Sequence, residues 1–545
     1  MIVDESKDIS NLESLSRIIP KSLFKVLPSL INIGVLLFVF ILFDGWYRSL
    51  TEINLDDFNE IMLATSPTQF FKGSIILFLP VILIVVLMIW GRKHLFIKWK
   101  DISGGTELRW VIGVCIIALS WIHISFPFNY FLNESILIER FLVLTLTLLT
   151  IWRPFFLILY LFFPIIFHFG EPLMVNNWSV TELPIRILTL FGAQLIYWLL
   201  FHKHKWNINA FLFIFICVIA GNYFPAGISK LKMGWLSNDN LYLLLSNMYA
   251  DGWLNILSED VLSEVTQFLS KYNLLLKIGC LVFEFGCILI LTKKTWSIRF
   301  FLLGFLTFHA LVFAMTGILF WPWIAFEIVL LNILRRKSTF KSEINKFGVW
   351  HILLSVMLIF TSTIWLKPSV YAWHDSPVNY SYYFKVQDVT GQTFNLPVQY
   401  FWPKHYQQAW TNGFHFIHDK PTLNIVWGVS FNEEEVNKLM TFKNAEDVIA
   451  YEMANGKSLY QPELAAEFKR YMIDFIKDKD YKLTLNPWFR VFSAPPQRLV
   501  FSEENLYDGK YDIVKIHIYQ RLSSFNGTDY KELRKQKVMT IDIPK

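Results

Sequence analysis

A single lysine near the end of a long apolar run is the residue best suited to acid–base chemistry. The segment Asn222–Trp235 reads NYFPAGISKLKMGW and follows the apolar run Ala210–Ala220. On a helix, residues three and four apart share a face, so Tyr223, Gly227 and Lys230 line up. An amine in apolar surroundings loses solvation of its charged form, and a neutral amine can then act as a base. The pattern indicates a catalytic site, and a charged anchor at a membrane boundary stays open as the alternative.

Two more ionisable residues lie in apolar runs where they need a partner. Glu284 is in the middle of such a run, and a buried carboxylate requires a partner, a proton or both. His309 precedes an aromatic turn that contains Phe320, Trp321 and Trp323. This histidine is either a hydrogen-bonded packing residue or part of a site. The aromatic turn is typical of an interfacial belt, and it also suits a flat apolar ring such as a quinone.

Other ionisable residues in apolar runs are weaker candidates for chemistry, and they are His123, Glu139, Arg140, His168, Arg186 and Glu327. We expect Glu139 and Arg140 to fix helix packing, and Arg186 to extend to the membrane surface. Glu327 reads as a structural acceptor. In the polar C-terminal region, a strand would point His415 and His418 to opposite faces, so we do not expect a metal site.

The composition is that of a membrane protein with several spans. The 545 residues are 54% hydrophobic and only 17% charged, against about a quarter charged in soluble domains. The mean hydropathy is +0.40. The net charge of +6 does not indicate nucleic-acid binding, because the basic residues are mostly in short loops between apolar runs. The four cysteines lie within apolar runs, which argues against a disulfide framework.

The fold class predicted is a polytopic α-helical membrane bundle followed by a C-terminal α+β or β-sandwich-like domain. Residues 1–25 form an N-terminal segment, residues 26–366 the bundle and residues 367–545 the C-terminal domain. The bundle contains about eleven apolar segments. They lie near residues 27–47, 73–91, 109–127, 135–152, 154–169, 183–201, 207–226, 273–292, 299–315, 318–334 and 348–366.

The basic loops predict the orientation in the membrane. The loops with Arg92–Lys100 and Arg335–Lys341 are the most basic, so they and the N-terminus are predicted to be cytoplasmic. An odd number of spans then puts the C-terminal domain and Lys230 outside the cytoplasm, in a cell (inner) membrane. Amphipathic segments near residues 239–270 read as interfacial helices that lie on the membrane or cover the end of the bundle.

The C-terminal domain is predicted to combine strands with helices. Alternating or β-branched patterns predict strands at Val378–Gln387, Thr393–Phe401, Val491–Phe501, Ile513–Tyr519 and Val538–Ile543. Apolar residues at three- and four-residue spacing predict helices at Glu433–Ala454 and Glu463–Lys477.

Two patches resemble the vitamin K-dependent γ-carboxylase-like family, whose bundle is called the horizontally transferred transmembrane (HTTM) domain. The first patch matches in Tyr223, Phe224, Ala226, Gly227, Lys230, Leu231 and Trp235. The second matches in Phe308, His309, Gly317 and Phe320. The chain departs from the family pattern at Ser229, where a lysine is usual, and at Lys232, where an acidic residue is usual.

The resemblance implies an integral membrane carboxylase, a carbon–carbon lyase, in which Lys230 is the base that deprotonates reduced vitamin K or a menaquinol-like quinol. Glu284 and His309 would support the lysine. The residues expected to bind the quinol are Tyr223, Gly227, Trp235, Phe320, Trp321 and Trp323. Expected partners are membrane lipid or quinone and a peptide or protein substrate on the extracytoplasmic side, with no nucleic acid and no metal. The alternative is a non-catalytic membrane binding or export-accessory protein whose outer domain recognises a partner.

Overall fold

The computed structural model describes residues 21–51, 96–125, 137–161, 178–201, 208–288, 295–368, 372–396, 413–477 and 505–544, with a few isolated positions near residues 82–91 and 494–499. The expected segment 73–91, the end of segment 154–169, and the expected strand Val491–Phe501 lie largely outside these residues.

The N-terminal two thirds of the described chain is a bundle of apolar helices. The long helices are α1 Lys21–Thr51, α2 Gly105–Ile124, α3 Leu137–Trp152, α5 Trp178–Leu200, α6 Ile208–Lys232, α10 Asn273–Gly286, α11 Thr295–Thr316, α12 Trp321–Arg335 and α14 Val349–Phe360. The short ones are α4 Phe156–Tyr160, α7 Trp235–Asn238, α8 Leu243–Ala250, α9 Glu259–Lys271, α13 Thr339–Ile344 and α15 Ser362–Trp365. Within the described residues, five helices are long and apolar enough to cross a membrane: α1, α2, α5, α6 and α11. This confirms a chain with several membrane helices, while eleven spans stay a prediction.

Helix α6 is the central helix of the bundle. From Ile208 to Gly227 its residues are buried, with the exception of Asn209. A surface helix has one apolar stripe, whereas a helix that is apolar on all sides is buried on all sides. Helix α6 packs against α1 and α5, for example through the rings of Phe211 and Phe191. Its last turn ends beside Gly234, whose φ of 67° turns the chain.

A layer of short helices joins the bundle to the C-terminal domain. In helix α8, Asn247 donates hydrogen bonds to the carbonyls of Ser376 and Gly428, at 2.9 and 3.0 Å. Trp253 donates to the carbonyl of Ala314 in α11 at 3.0 Å. Helix α8 is therefore buried between the helix bundle and the C-terminal domain. The amphipathic segment that contains it covers the end of the bundle. In helix α9, the face opposite its buried side exposes Phe268.

The C-terminal domain is α+β. Its strands are β1 His374–Asp375, β2 Val378–Asp388, β3 Thr393–Asn395, β4 Val429–Ser430, β5 Ile513–Phe525 and β6 Tyr530–Asp542. The main sheet is antiparallel in the order β3-β2-β5-β6, and β1 pairs with β4 in a small second sheet. Helices α16 Glu433–Leu439, α17 Ala445–Asn455 and α18 Pro462–Lys477 cover one face of the main sheet through a core shared with its inward side chains.

Several predictions for this domain are confirmed and one is wrong in detail. The predicted strands at Val378–Gln387 and Ile513–Tyr519 are present, and the second extends to Phe525. The predicted helix Glu433–Ala454 is two helices, because the first ends at Leu439 and Asn444 begins the second. Of the predicted strand Thr393–Phe401, Thr393–Asn395 is a strand, and residues 397–401 lie outside the described residues.

Candidate functional site

The Lys230 amine is paired with the Glu284 carboxylate. Nζ of Lys230 on α6 donates a hydrogen bond to Oε1 of Glu284 on α10, and the two side chains are 13% and 5% exposed. The structure thus supplies Glu284 with a partner. The sequence suggested an isolated amine that apolar surroundings keep neutral. The carboxylate of Glu284 instead favours the charged ammonium form of Lys230. The two groups instead form a pair that can hold a proton on either member.

A glycine lets the two helices approach closely enough for this pair to form. A Cβ atom on Gly227 would lie 3.0 Å from Cζ of Phe285 and 3.2 Å from Cβ of Glu284. Both distances are shorter than ordinary carbon contacts, so a side chain here would push α10 away from α6. The small-residue face predicted from the sequence is therefore the contact face for the glutamate helix.

Two further groups border the Lys230–Glu284 pair. The indole of buried Trp235 lies with its ring centroid 5.5 Å from Nζ of Lys230, within the range of a cation–π contact. Sγ of Cys280 is 3.7 Å from Oε1 of Glu284. Oε2 of Glu284 is buried, and no donor among the described residues lies within hydrogen-bonding distance of it. A buried acceptor without a donor is suited to carrying a proton or to accepting a hydrogen bond from a ligand.

A second polar group lies deeper along α6. The hydroxyl of Tyr223 donates to Oε1 of Glu327 on α12 at 2.9 Å, and Nδ1 of His309 on α11 is 3.3 Å from Oε2 of the same carboxylate. All three side chains are buried. Glu327 is therefore the acceptor that joins three helices, as its structural interpretation predicted.

Aromatic rings enclose this second group. Phe305 stacks on Tyr223 with centroids 3.9 Å apart and planes 3° apart, and Phe320 stacks on His309 at 5.3 Å. The indole of Trp323 is edge-on to the rings of Tyr223 and His309, with its centroid 5.6 Å from each. Its indole Nε1 is buried, and it has no acceptor within reach in the described part of the chain. An unsatisfied indole N–H among ring faces suits a flat ligand that carries an oxygen.

The two groups share one side of α6. Tyr223 and Lys230 are seven residues apart, which corresponds to two helical turns and about 10 Å along the axis. Gly227 lies between them, where Phe285 and Glu284 of α10 pack against it. The Lys230–Glu284 pair and the group around Glu327 are therefore about two helical turns apart along α6.

A buried pair of carboxyl groups lies next to this end of the bundle. Oδ1 of Asp239 accepts the backbone N–H of Asp375 in β1 at 2.7 Å, and Nζ of Lys277 donates to the Asp239 carbonyl at 2.8 Å. Burial raises the pKa of Asp239 to about 6, and burial together with Asp239 raises that of Asp375 well above its ordinary value. The pair can share one proton at neutral pH. Sequence reasoning missed it, because its members are 136 residues apart.

Most of the predicted site residues come together, and some do not. Lys230, Glu284 and Trp235 form one group, and Tyr223, His309, Phe320 and Trp323 form the other. Trp321 instead packs edge-on against Trp121 of α2 at 5.4 Å. Cys280 and Phe305 were not predicted, although each lies four residues before Glu284 or His309 on the same helix face.

The weaker candidates have other surroundings. Arg186 does not extend to the surface as expected. It is buried, and its Nη1 contacts both oxygens of buried Asp44 at 2.5 and 2.7 Å, which fixes α5 against α1. Arg140 donates to the carbonyl of Ser125 at 3.1 Å. His168 and the side chain of Glu139 lie outside the described residues.

The side chains of His415 and His418 in the C-terminal domain lie close together. We expected opposite faces because we expected a strand here. Gly413–Ile417 is a short 3-10 helix, in which residues three apart share a side. Nδ1 of His415 and Nε2 of His418 lie 2.8 and 2.9 Å from the hydroxyl of Tyr382. Burial lowers the pKa of each histidine to about 4, so both are neutral at pH 7.

Within the described ranges, no group of three or more His, Cys, Asp or Glu side chains is arranged to hold a metal ion. Comparison of the chain with family models, with curated proteins and with solved structures finds no match.

Proposed function

We propose that the protein is an integral membrane enzyme in which Lys230 and Glu284 take a proton from a quinol-type cosubstrate, such as reduced vitamin K or a menaquinol. The carboxylase-like resemblance suggests this chemistry. The observation that carries it is the buried Lys230–Glu284 pair two helical turns from an aromatic site with an unsatisfied indole donor. The proposed outcome of the reaction is modification of a peptide or protein.

The pair provides both a proton acceptor and a place to hold the proton. When the shared proton moves to Glu284, the Lys230 amine is neutral and its lone pair can accept a hydroxyl proton. The free Oε2 of Glu284 is where the displaced proton resides, so no buried charge is left without a partner. The result is an ammonium group beside a protonated carboxyl group and next to the newly formed anion, which it stabilises.

The aromatic group would bind and orient the ring. A quinol supplies an acidic hydroxyl and reducing equivalents when it is bound. Phe320 and Trp323 offer ring faces, and the indole N–H of Trp323 offers one hydrogen bond to a ring oxygen. The Glu327 carboxylate keeps Tyr223 and His309 in fixed orientations. Apolar walls exclude water, which protects a reactive anion from protonation by solvent.

In this proposal the N-terminus is cytoplasmic, and the C-terminal domain is extracytoplasmic, where it binds the peptide or protein to be modified. The close contact of Asp239 with Asp375 supports a C-terminal domain on the same side as the Lys230 end of α6.

The test is turnover of a reduced naphthoquinone in membranes that contain the full chain. Lys230→Ala should abolish oxygen-dependent consumption of the quinol, and Lys232→Ala should not, because Lys232 is exposed at the same helix end. Equal rates for Lys230→Ala and the unmodified protein would overturn the catalytic role.

A non-catalytic binding or export-accessory protein is the second candidate, and the same ion pair favours it. In that case Lys230 and Glu284 only fasten α6 to α10. The protein would then have no quinol turnover, and Lys230→Arg would keep its folding and its partner binding.

A further inference from the structure

The outward face of the C-terminal sheet is strongly basic. Residues opposite each other in the register share a face: Tyr383 with Tyr519, Lys385 with His517, and Arg521 with Lys535. The alternate residues, such as Tyr382, Phe384 and Ile518, are buried in the domain core. We name the outward set the basic face, and its members are Tyr383, Lys385, Lys515, His517, Tyr519, Arg521, Lys535 and Lys537.

The basic face has more positive charges than its neighbours can balance. Five of its members are lysine or arginine. Glu532 pairs with Arg521 at 3.0 Å, and Asp542 pairs with Lys515 at 3.4 Å. Five cations minus two acids leaves three uncompensated positive charges. In the described part of the chain, Lys385, Lys535 and Lys537 have no carboxylate partner, and Lys535 and Lys537 are exposed.

Two tyrosines provide a flat platform beneath these charges. The rings of Tyr383 and Tyr519 stack with centroids 5.2 Å apart and planes 11° apart. Nζ of Lys535 lies 4.5 Å from the centre of the Tyr383 ring, and the Arg521 guanidinium lies 5.1 Å from it. Contact with a ring face orients a cation without neutralising it, so the positive field stays available to a partner.

The positive field also acts on the histidine in this face. Partial burial lowers the pKa of His517, and the charges of Lys537 and Lys515 lower it further, while Asp542 opposes them. The neutral histidine at pH 7 therefore adds a hydrogen-bonding group between cations, and its ring also lies 3.1 Å from the hydroxyl of Thr540.

We propose that the basic face binds a carboxylate-rich peptide segment. Charge complementarity selects the occupant, because three unpaired cations on a sheet require an anionic partner with several charges. Side chains on one face of a strand repeat every second residue, at about 7 Å, and strands are about 4.8 Å apart. Glutamate side chains of an extended peptide have comparable spacing and reach.

The position of the face favours a peptide over a planar membrane surface. The start of β2 is at the junction with the bundle, where Asn379 donates to the Asn247 carbonyl at 2.9 Å. Lys385 lies six residues further along the strand, about 20 Å from that junction. The charges are therefore spread along a direction that leads away from the membrane helices.

This inference deepens the proposed function, on which its biological meaning rests: the basic face would hold the acidic protein or peptide that the membrane site modifies. Binding can nevertheless be measured without any reaction. The two ideas can fail separately, because Lys230→Ala should abolish turnover and leave peptide binding unchanged.

The test uses the full chain in nanodiscs of zwitterionic lipid and a fluorescent glutamate-rich peptide, with fluorescence anisotropy as the readout. We expect the triple variant Lys385→Gln, Lys535→Gln, Lys537→Gln to bind the peptide about tenfold more weakly than the unmodified protein does. Each charge contact contributes about a few tenths to one kcal/mol to the binding free energy, and three such contacts are lost. The control variant Lys438→Gln, Lys457→Gln, Lys477→Gln loses the same charge from the helical side of the domain, and we expect it to bind as the unmodified protein does.

Three results would overturn the inference. If both triple variants lost peptide affinity equally, the net charge of the protein alone would attract the peptide. Equal binding of a glutamine version of the peptide would remove the role of carboxylates. Association with anionic lipid vesicles that the first triple variant abolishes, without any peptide binding, would assign the face to a membrane. A thermal unfolding curve for each variant keeps a folding defect distinct from a binding defect.

Discussion

Replacing one member of the Lys230–Glu284 pair leaves the other buried without its counter-charge. The two side chains are 13% and 5% exposed, so water screens the remaining charge poorly. Removing one partner of a buried ion pair costs about 3–5 kcal/mol. We expect Lys230→Met and Glu284→Met each to lower the free energy of unfolding by about 3 kcal/mol, the low end of that range, because Lys230 keeps partial contact with solvent.

The double variant separates the energetic role of the pair from its chemical role. With both charges absent, two methionines of suitable volume can fill the contact, and such replacements are often neutral. The double variant should therefore lose no more stability than one single variant, a coupling of about 3 kcal/mol. It should still lack quinol turnover, because no proton acceptor is left.

Thermal unfolding in detergent, followed by tryptophan fluorescence, measures the stabilities, and quinol consumption measures the activity. Lys232→Met is the matched control, since it removes an exposed amine from the same helix end and should change stability by less than about 0.5 kcal/mol. If Lys230→Met unfolds as the unmodified protein does, the buried ion pair is refuted. If the double variant keeps turnover, the pair is a fastening between helices and not a site.

Three further predictions concern other parts of the site and of the C-terminal domain. Trp323→Phe keeps an aromatic ring but removes the unsatisfied N–H. The KM for the quinol should rise about tenfold, which corresponds to the free energy of one hydrogen bond. An unchanged KM would refute binding of the quinol ring at this position. Burial raises the pKa of Asp239 to about 6, and burial together with Asp239 raises that of Asp375 well above its ordinary value. Stability that is fully present below about pH 4 is therefore lost as pH rises through 6. Asp375→Asn should raise Tm more at pH 8 than at pH 5, and equal shifts at both would refute the titration of this carboxyl pair. Burial lowers the pKa of His415 and His418 to about 4. The free energy of unfolding should therefore fall by up to about 3 kcal/mol per histidine as the pH is lowered from about 6.5 to 4. The melting temperature of His418→Leu should depend less on pH in that range, and a pH dependence equal to that of the unmodified protein would contradict the prediction.

Local patterns were sufficient to predict several of the apolar helices and the face of α6 that contacts α10. The apolar run and the spacing of Tyr223, Gly227 and Lys230 indicate one helical face, and that face does contact another helix. Glu284 could be identified as a carboxylate that needs a partner. Its partner could not be identified, because the pairing of helices depends on the packing of the whole bundle and not on the spacing within one segment.

The two errors in the C-terminal domain have different causes. A strand would separate His415 and His418, but the chain forms a 3-10 helix from Gly413, and both side chains bond to the hydroxyl of Tyr382, which is distant in the sequence. The break between the two helices after Leu439 has a readable signal. Asn444 is followed by acidic residues in the first turn of the next helix, and this pattern is typical of a helix start.

The contact of Trp323 with Tyr223 and His309 was beyond sequence reasoning for another reason. Aromatic residues are abundant in this chain, with 51 phenylalanines, 22 tyrosines and 21 tryptophans, so composition alone does not distinguish a ligand site from a membrane belt. The feature that supports a ligand site is a buried indole N–H with no acceptor among the described residues, and this depends on the arrangement of three helices.

Lys230→Arg tests most directly whether a titratable amine does the chemistry. Arginine keeps the positive charge and can pair with Glu284, but its guanidinium does not lose a proton at accessible pH. The proposed function predicts a folded variant whose oxygen-dependent consumption of a reduced naphthoquinone is slower by about a hundredfold to ten-thousandfold, the usual contribution of a general base, with Lys232→Arg unaffected. Turnover by Lys230→Arg at the rate of the unmodified protein would contradict it.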